Sequence, residues 1–335
     1  MILTVLILLA CAAVIYLSSE YFVNGVEWVG LRFGVSRNAV GTVLAAFGTA
    51  LPESVVTFVA VVTGHSAAEK QIGVGAAIGG PLVLSTVAYS VVGLSYLAFQ
   101  RHASGSMLNG KEQARLARDQ AWFMVVFGAK VALGLVVFRY KPLLGWAFLL
   151  AYAIYTWREI TATDEVGAAI GSDSLELEPL KLRPLDVNPP THWAVLQTLL
   201  ALSVVFLGSE LFVHQLAALS TGLGLSTQLT SLLLSPIATE LPETLNAIIW
   251  LRQGKTTLAL GNISGAMMIQ ATVPSALGLL FTPWLLDKPL TIAAGVTFAS
   301  IALMWLLLRW RALTAARLSV FGLLYLVFVG LVVYL

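Results

Sequence analysis

Charge is scarce in this chain. Only 11% of its 335 residues are Asp, Glu, Lys or Arg, 58% are hydrophobic, and the mean hydropathy is +0.88. That balance excludes a soluble domain and identifies a polytopic membrane protein. The formal net charge is +2, and no basic run interleaves with aromatics, so a nucleic-acid partner is excluded. Cysteine is limited to Cys11, which excludes an intramolecular disulfide framework and a cysteine-only metal site. Also missing are His-Glu-x-x-His, Gly-x-Ser-x-Gly and, after Gly73-Val74-Gly75, the third glycine of a dinucleotide loop. An enzyme would have to work with glutamates alone, so none is expected, and neither is a cofactor.

Apolar runs long enough to span a bilayer, at about twenty residues each, occupy residues 2 to 29, 38 to 63, 72 to 98, 120 to 138 and 142 to 158. A second set occupies 192 to 213, 228 to 251, 256 to 284, 290 to 308 and 317 to 335. Leu8-Leu9-Ala10-Cys11 has the form of a lipoprotein cleavage box, but no Lys or Arg precedes the first run, so it is expected to be a retained helix. Residues 159 to 191 hold Asp164, Glu165, Asp173, Glu176, Glu178 and Asp186 among Pro179, Pro184, Pro189 and Pro190 and read as an acidic linker. The expectation is an all-α membrane protein of ten helices in three parts: 1–158, a linker at 159–191, and 192–335. With the N-terminus outside, fourteen Lys and Arg fall in inside loops, and Lys70, Arg139, Lys141 and Lys288 fall outside. The positive-inside rule therefore puts both termini outside and the linker in the cytoplasm.

Five helices per set means the second set enters the membrane from the opposite side, as two inverted repeats. Sliding one half on the other supports a duplication. At an offset of 190, Ser19-Glu20 meets Ser209-Glu210, Gly34 meets Gly224, and Leu51-Pro52-Glu53 meets Leu241-Pro242-Glu243; at 186, Gly75 and Gly79 meet Gly261 and Gly265. Pro52 and Pro242 interrupt the second and seventh helices beside Glu53 and Glu243, and paired breaks of this kind mark the substrate site of an inverted-repeat transporter. Carboxylates, the hydroxyls of Thr49 and Thr239, and carbonyls released by the prolines are hard oxygen donors suited to calcium and sodium. Gly75/Gly79 and Gly261/Gly265 would let neighbouring helices approach closely. Glu240 brings a third carboxylate, and three together favour protonation of one, so a proton competes with sodium as coupling ion. Lys130 lies at the centre of the fourth run, either as the charge partner of a carboxylate or facing a water-filled crevice. Glu20 and Glu210 fall near helix ends as headgroup-level residues or gates, and His65, His102 and His192 have no metal-ligand spacing.

Gly48-Thr49-Ala50-Leu51-Pro52-Glu53 and Thr239-Glu240-Leu241-Pro242-Glu243 resemble the two alpha-repeats of the cation/calcium exchanger superfamily, whose motif is Gly-Thr-Ser-Leu-Pro-Glu. Gly261-Asn262-Ile263-Ser264-Gly265 and, more weakly, Gly75-Ala76-Ala77-Ile78-Gly79 resemble its Gly-Asn-x-x-Gly-Ser-Asn motif. The resemblance implies an antiporter exchanging calcium for sodium or protons by alternating access. It puts Glu53 and Glu243 on the central carboxylates and Thr49 and Thr239 on the ion-lining threonines. Departures are Ala50 and Glu240 where serine is usual. Gly80 and Leu84, and Ala266 and Gln270, replace a serine followed four residues on by Asn or Asp. Potassium transport and a degenerate, non-transporting homologue stay open beside calcium. Lipid and cations are the expected partners of a monomer or weak oligomer, and a short central loop points to a bacterial inner membrane.

The orientation is testable with the single native thiol removed. In a Cys11→Ala background, a cysteine at Lys288 should react with a membrane-impermeant maleimide on intact cells, and one at Lys111 only after permeabilisation. The reverse pattern would invert the topology.

Overall fold

Burial divides the long apolar helices into a centre and a periphery. The computed structural model describes residues 1–33, 50–99, 106–167, 178–186 and 188–334. In chain order these form α1 (Ile2–Arg32), α2 (Leu51–Thr63), α3 (Ala67–Phe99), α4 (Gly110–Gly134), α5 (Gly145–Gly167), α6 (Thr191–Leu223) and α7 (Thr227–Thr239). Then come α8 (Leu241–Arg252), α9 (Thr256–Phe281), α10 (Lys288–Arg309), α11 (Ala315–Ser319) and α12 (Gly322–Val333). No strand occurs among the described residues. Six stretches there are long and apolar enough to cross a membrane: α1, α3, α6, α9, α10 and the run Ala315–Val333. In α9 78% of the apolar window is buried and in α3 56%, against 22% in α1 and 28% in α6. α3 and α9 are therefore the central pair, and α1 and α6 pack on each other at the edge.

The other four expected spans differ from a plain apolar helix for identifiable reasons. Of 38 to 63, the part before Ala50 lies outside the described residues, Thr49 included. α4 starts at Gly110, with Lys111, Glu112, Arg115, Arg118 and Asp119 in its first turns and an Asn109/Glu112 capping box fixing its start. Lys130 is thus four residues from the end of α4 rather than at the centre of a span. α5 runs to Gly167, well past the expected boundary at 158. The run 228 to 251 is two helices, because α7 ends at Thr239 and α8 begins at Leu241.

The linker is also less free than its composition suggests. Asn24 and Trp28 of α1 donate to the Glu178 carbonyl, Gln197 of α6 accepts from the Leu182 amide and donates to Asn24, and Lys181 pairs with Glu20 at 2.9 Å. Arg32 binds Asn188 and the Pro189 carbonyl, while Leu180 is fully buried. Residues 178–186 and 188–190 therefore form a strap that satisfies polar groups of both peripheral helices.

Glycine controls the approach of α7 to α3. A Cβ at Gly75 would lie 2.4 Å from the Gln228 carbonyl oxygen, and one at Gly79 would lie 2.6 Å from that of Leu232. Pro236, which lacks an N–H, leaves the Leu232 carbonyl without its helical donor on the side where α3 arrives. Ser231 Oγ donates to the Ile72 carbonyl at 2.7 Å across the same contact. No described residue lies within 4 Å of a Cβ at Gly261, and Gly265 is half-buried on α9. By the 190-residue offset, the counterpart of α7 in the first half is residues 37 to 49, outside the described residues. Gly75→Ala and Gly79→Ala should each destabilise the solubilised protein by about 1–3 kcal/mol, while Gly295→Ala, on an exposed face, should not. Thermal unfolding midpoints in detergent check this, and equal midpoints for the three variants would refute the close contact.

Candidate functional site

Two helices begin inside the protein, and each presents a carboxylate in its first turn. α2 starts after Ala50 with Pro52 and Glu53, and α8 starts after Glu240 with Pro242 and Glu243. Proline is suited to these positions because the first N–H groups of a helix have no internal partner. The same unpaired N–H groups make a helix start partly positive, which favours an acidic side chain there. The prolines read as breaks in the sequence are therefore helix initiators in space. Glu53, Glu240, Glu243, Thr239 and Gln270 are all buried, none more than 1% exposed.

Thr239 is the hub. Its Oγ1 lies 2.8 Å from Glu53 Oε2 and 2.8 Å from Glu240 Oε1, with the Ser235 carbonyl at 3.2 Å. Gln270 Nε2 donates to Glu240 Oε2 at 2.6 Å. A threonine hydroxyl carries one proton, so it donates to one carboxylate only. The second 2.8 Å contact is a hydrogen bond when that carboxyl is itself protonated. Around the hub, Glu53 Oε1, Thr57 Oγ1, Ser235 Oγ, Gln270 Oε1 and both carboxylate oxygens of Glu243 are buried without a hydrogen-bond partner. Buried polar atoms are normally paired, so a group of oxygens left open in this way is suited to a cation. Among the described residues no three His, Cys, Asp or Glu side chains are grouped tightly enough to hold a metal alone. The carboxylates nonetheless act on one another electrostatically, so hydroxyl and amide oxygens must complete any coordination sphere.

Gly80 explains a departure noted in the sequence. A Cβ there would lie 2.7 Å from Gln270 Oε1 and 3.0 Å from Glu240 Oε1. The first half gives up a side chain at Gly80, and the second half fills that space with Gln270 and Glu240. Leu84 and Ala266 are fully buried in the apolar core, and Ala50 packs with them. Asn262 is buried with its Nδ2 unpartnered. Thr57 and Ser235 were not singled out from the sequence. Helical spacing was the available signal, since Thr57 is four residues after Glu53 and Ser235 four before Thr239.

Lys130 is fully buried, and its Nζ donates to the carbonyls of Ala77 at 2.8 Å and Gln270 at 3.4 Å, 5.1 Å from the Phe127 ring centroid. It pairs directly with no carboxylate among the described residues, although it and Glu53 interact electrostatically. Glu20 is bound to Lys181, whereas Glu210 lines a cavity of about 340 Å³ with Glu69, His65 and His214. His214 and Glu69 approach to 3.5 Å there, and none of the three central glutamates lines that cavity.

Comparison with known proteins agrees with this architecture. The chain is 25% identical over 309 residues to the inner membrane protein YrbG of Escherichia coli, covering 92% of this chain and 89% of that protein. Its fold is similar to that of the sodium-calcium exchanger NCX_Mj soaked with zero Na⁺ and Ca²⁺, with a TM-score of 0.59 at 22% identity over 99% of each chain. It is similar also to the H⁺/Ca²⁺ exchanger CAX, with a TM-score of 0.64 at 15% identity over 98% of this chain and 87% of that one. The family described as "Sodium/calcium exchanger protein" matches residues 3–161 and 193–334. With nearly its whole length matched and two buried Pro-Glu helix starts in corresponding positions, this chain belongs to the sodium/calcium exchanger protein family of cation antiporters.

Proposed function

We propose that this antiporter exchanges calcium for sodium or protons by alternating access at a site built on Glu53, Glu240 and Glu243. Thr239, Gln270, Thr57 and Ser235 complete its oxygen donors, and Thr49 belongs to it by its place in the motif. The observation that carries the reading is the shared hydroxyl of Thr239 between two buried carboxylates, beside oxygens with no other partner. Calcium accepts six to eight oxygen ligands in flexible geometry, so carboxylate, hydroxyl, amide and carbonyl oxygens from several helices suit it. The same contact favours the proton as coupling ion, because a proton on Glu53 or Glu240 satisfies the second oxygen of the Thr239 bridge.

The topology of this reading is ten membrane helices in two inverted five-helix repeats, broken at the second and seventh, with both termini outside. Support comes from the offset of 190 that relates the two Pro-Glu starts, and from the basic residues gathered in alternate loops. The two halves differ in chemistry. The first brings Glu53 and Thr57, and the second brings Thr239, Glu240, Glu243 and Gln270. The losses at Gly80, Leu84 and Ala266 would suit a non-transporting homologue, but the close fit of Gln270 and Glu240 over Gly80 favours an altered site over an empty one.

Reconstituted into liposomes, the protein should take up calcium against an imposed sodium or proton gradient. Glu53→Gln and Glu243→Gln should abolish that uptake, and full flux in both would remove the carboxylates from the mechanism. A proton-coupled protein should work from a pH gradient in sodium-free buffer, and a strict sodium requirement would refute that coupling. Thr239→Val removes a hydrogen bond to a charged group, about 1.5–3 kcal/mol. Calcium should then bind roughly 10- to 100-fold more weakly, measured as the concentration dependence of flux. Unchanged affinity would exclude Thr239 from the site.

A further inference from the structure

The repeat relates Glu20 of α1 to Glu210 of α6, and the two carboxylates are treated differently. Glu20 is held by a cation of the protein itself, with Lys181 Nζ 2.9 Å from its Oε2. Glu210 has no hydrogen-bond or ion-pair partner among the described residues, and a cavity of about 340 Å³ lies in front of it. The preceding pair differs in the same way. Ser19 Oγ donates to the Ile15 carbonyl at 2.7 Å, whereas Ser209 is fully buried with its Oγ unpartnered. The cavity lies between α6, the end of α2 at Val59 and Thr63, and Glu69 in the first turn of α3. Glu69 Oε2 accepts from the His65 amide at 2.6 Å, and its Oε1 is 3.5 Å from His214 Nδ1. The latter contact is longer than a good hydrogen bond, and the His214 side chain is 70% exposed, so the pairing is weak. Two carboxylates therefore face one cavity with little to balance them.

We propose that this cavity is a docking site on the outer face for a hydrated divalent cation, calcium in the reading above, and that its inner counterpart at Glu20 is already filled by Lys181. The proposal rests on the antiporter reading and its topology, and adds to them a second cation site. Among the described residues no three acidic, His or Cys side chains are grouped tightly enough to hold a bare metal. An ion that keeps its water fits instead, since six to eight waters at about 30 Å³ each occupy less than the cavity offers. Leu207 and Leu211 give the cavity an apolar wall, and acidic clefts with low-dielectric walls concentrate cations. The way inward is polar. Val59 is six residues after Glu53 on α2, about 9 Å along the axis, and Thr57 lies between them with its Oγ1 buried and unpartnered. Ser209 is on the face of α6 that carries Val205, Phe212 and Val213, which pack with Val55, Val56 and Val59. Open hydroxyls from both helices thus stand between the docked ion and Glu53.

Hexaamminecobalt(III) is a suitable probe, because it resembles a hydrated cation but cannot shed its ligands to enter among the central glutamates. Added to right-side-out membrane vesicles, it should inhibit calcium flux in competition with calcium. Glu210→Gln and Glu69→Gln should each weaken that inhibition roughly tenfold, while Glu210→Asp, which keeps the charge, should be inhibited like the wild type. Inside-out vesicles should be insensitive. Equal inhibition of the wild type and both glutamine variants, equal inhibition from the two faces, or none in the wild type would overturn the proposal. So would a Glu210→Asp protein that behaves like Glu210→Gln, since the side chain would then act by packing. A wild type that moves no calcium under any gradient would refute the antiporter reading separately. The docking site would then be decided by calorimetric titration of hexaamminecobalt(III) into the full chain in an uncharged detergent at low salt. Binding that Glu210→Gln weakens roughly tenfold supports the site, and binding that is absent or unchanged overturns it.

Discussion

Removing three carboxylates from water is the condition that the interior of this protein has to meet. Each ionised carboxylate costs several kcal/mol to bury unless donors or cations compensate it. Glu53 and Glu243 gain compensation by position, since each lies in the first turn of a helix that starts inside the protein. Glu240 gains it from Thr239 and Gln270. What remains uncompensated is a set of oxygens with no protein partner, and that remainder gives the fold its chemistry.

Glycine and proline do most of the arranging, by opposite means. Gly75 and Gly79 remove side chains so that α7 can lie against α3, while Gly80 removes one so that Gln270 and Glu240 can enter. Pro52 and Pro242 start helices, whereas Pro81 and Pro274 leave two carbonyls exposed to Lys130 in the central pair of helices. The two halves are alike in backbone punctuation and unlike in side chains. The first half supplies a gap at Gly80, and the second supplies the groups that fill it.

Around this centre the packing is uneven. α3 and α9 are the most buried of the long apolar helices, whereas α1 and α6 pack chiefly on each other and share a separate apolar cluster with α2. Polar groups of that outer pair are satisfied by the strap of residues 178–186 and 188–190. Elements with fewer buried contacts lie at the low end of local stability. The central pair backs the site through Gln270 and the gap at Gly80, the carboxylates lie on α2, at the α7–α8 break and on α8, and the outer pair borders the site through α2.

Much of this could be read from the residues. Composition alone placed the chain in a membrane, because a bilayer demands apolar runs and tolerates few charges. The duplicated Leu-Pro-Glu named Glu53 and Glu243, since an acid beside proline in such a run is seldom neutral in cost, Thr239 and Glu240 followed from the same motif, and Gln270 from the family pattern of the next helix. Three features came only from the tertiary structure. Thr239 lies 186 residues from Glu53 in sequence and bridges that carboxylate of the first half to Glu240 of the second. Gly80 owes its small size to side chains of another helix. Lys130 meets carbonyls that Pro81 and Pro274 released on two different helices. Local sequence determines where a helix can begin and which residues avoid lipid, because those depend on a few neighbouring side chains. Which oxygens converge is decided when separate helices pack, because hydrogen bonds and charges act between atoms close in space, however far apart they are along the chain.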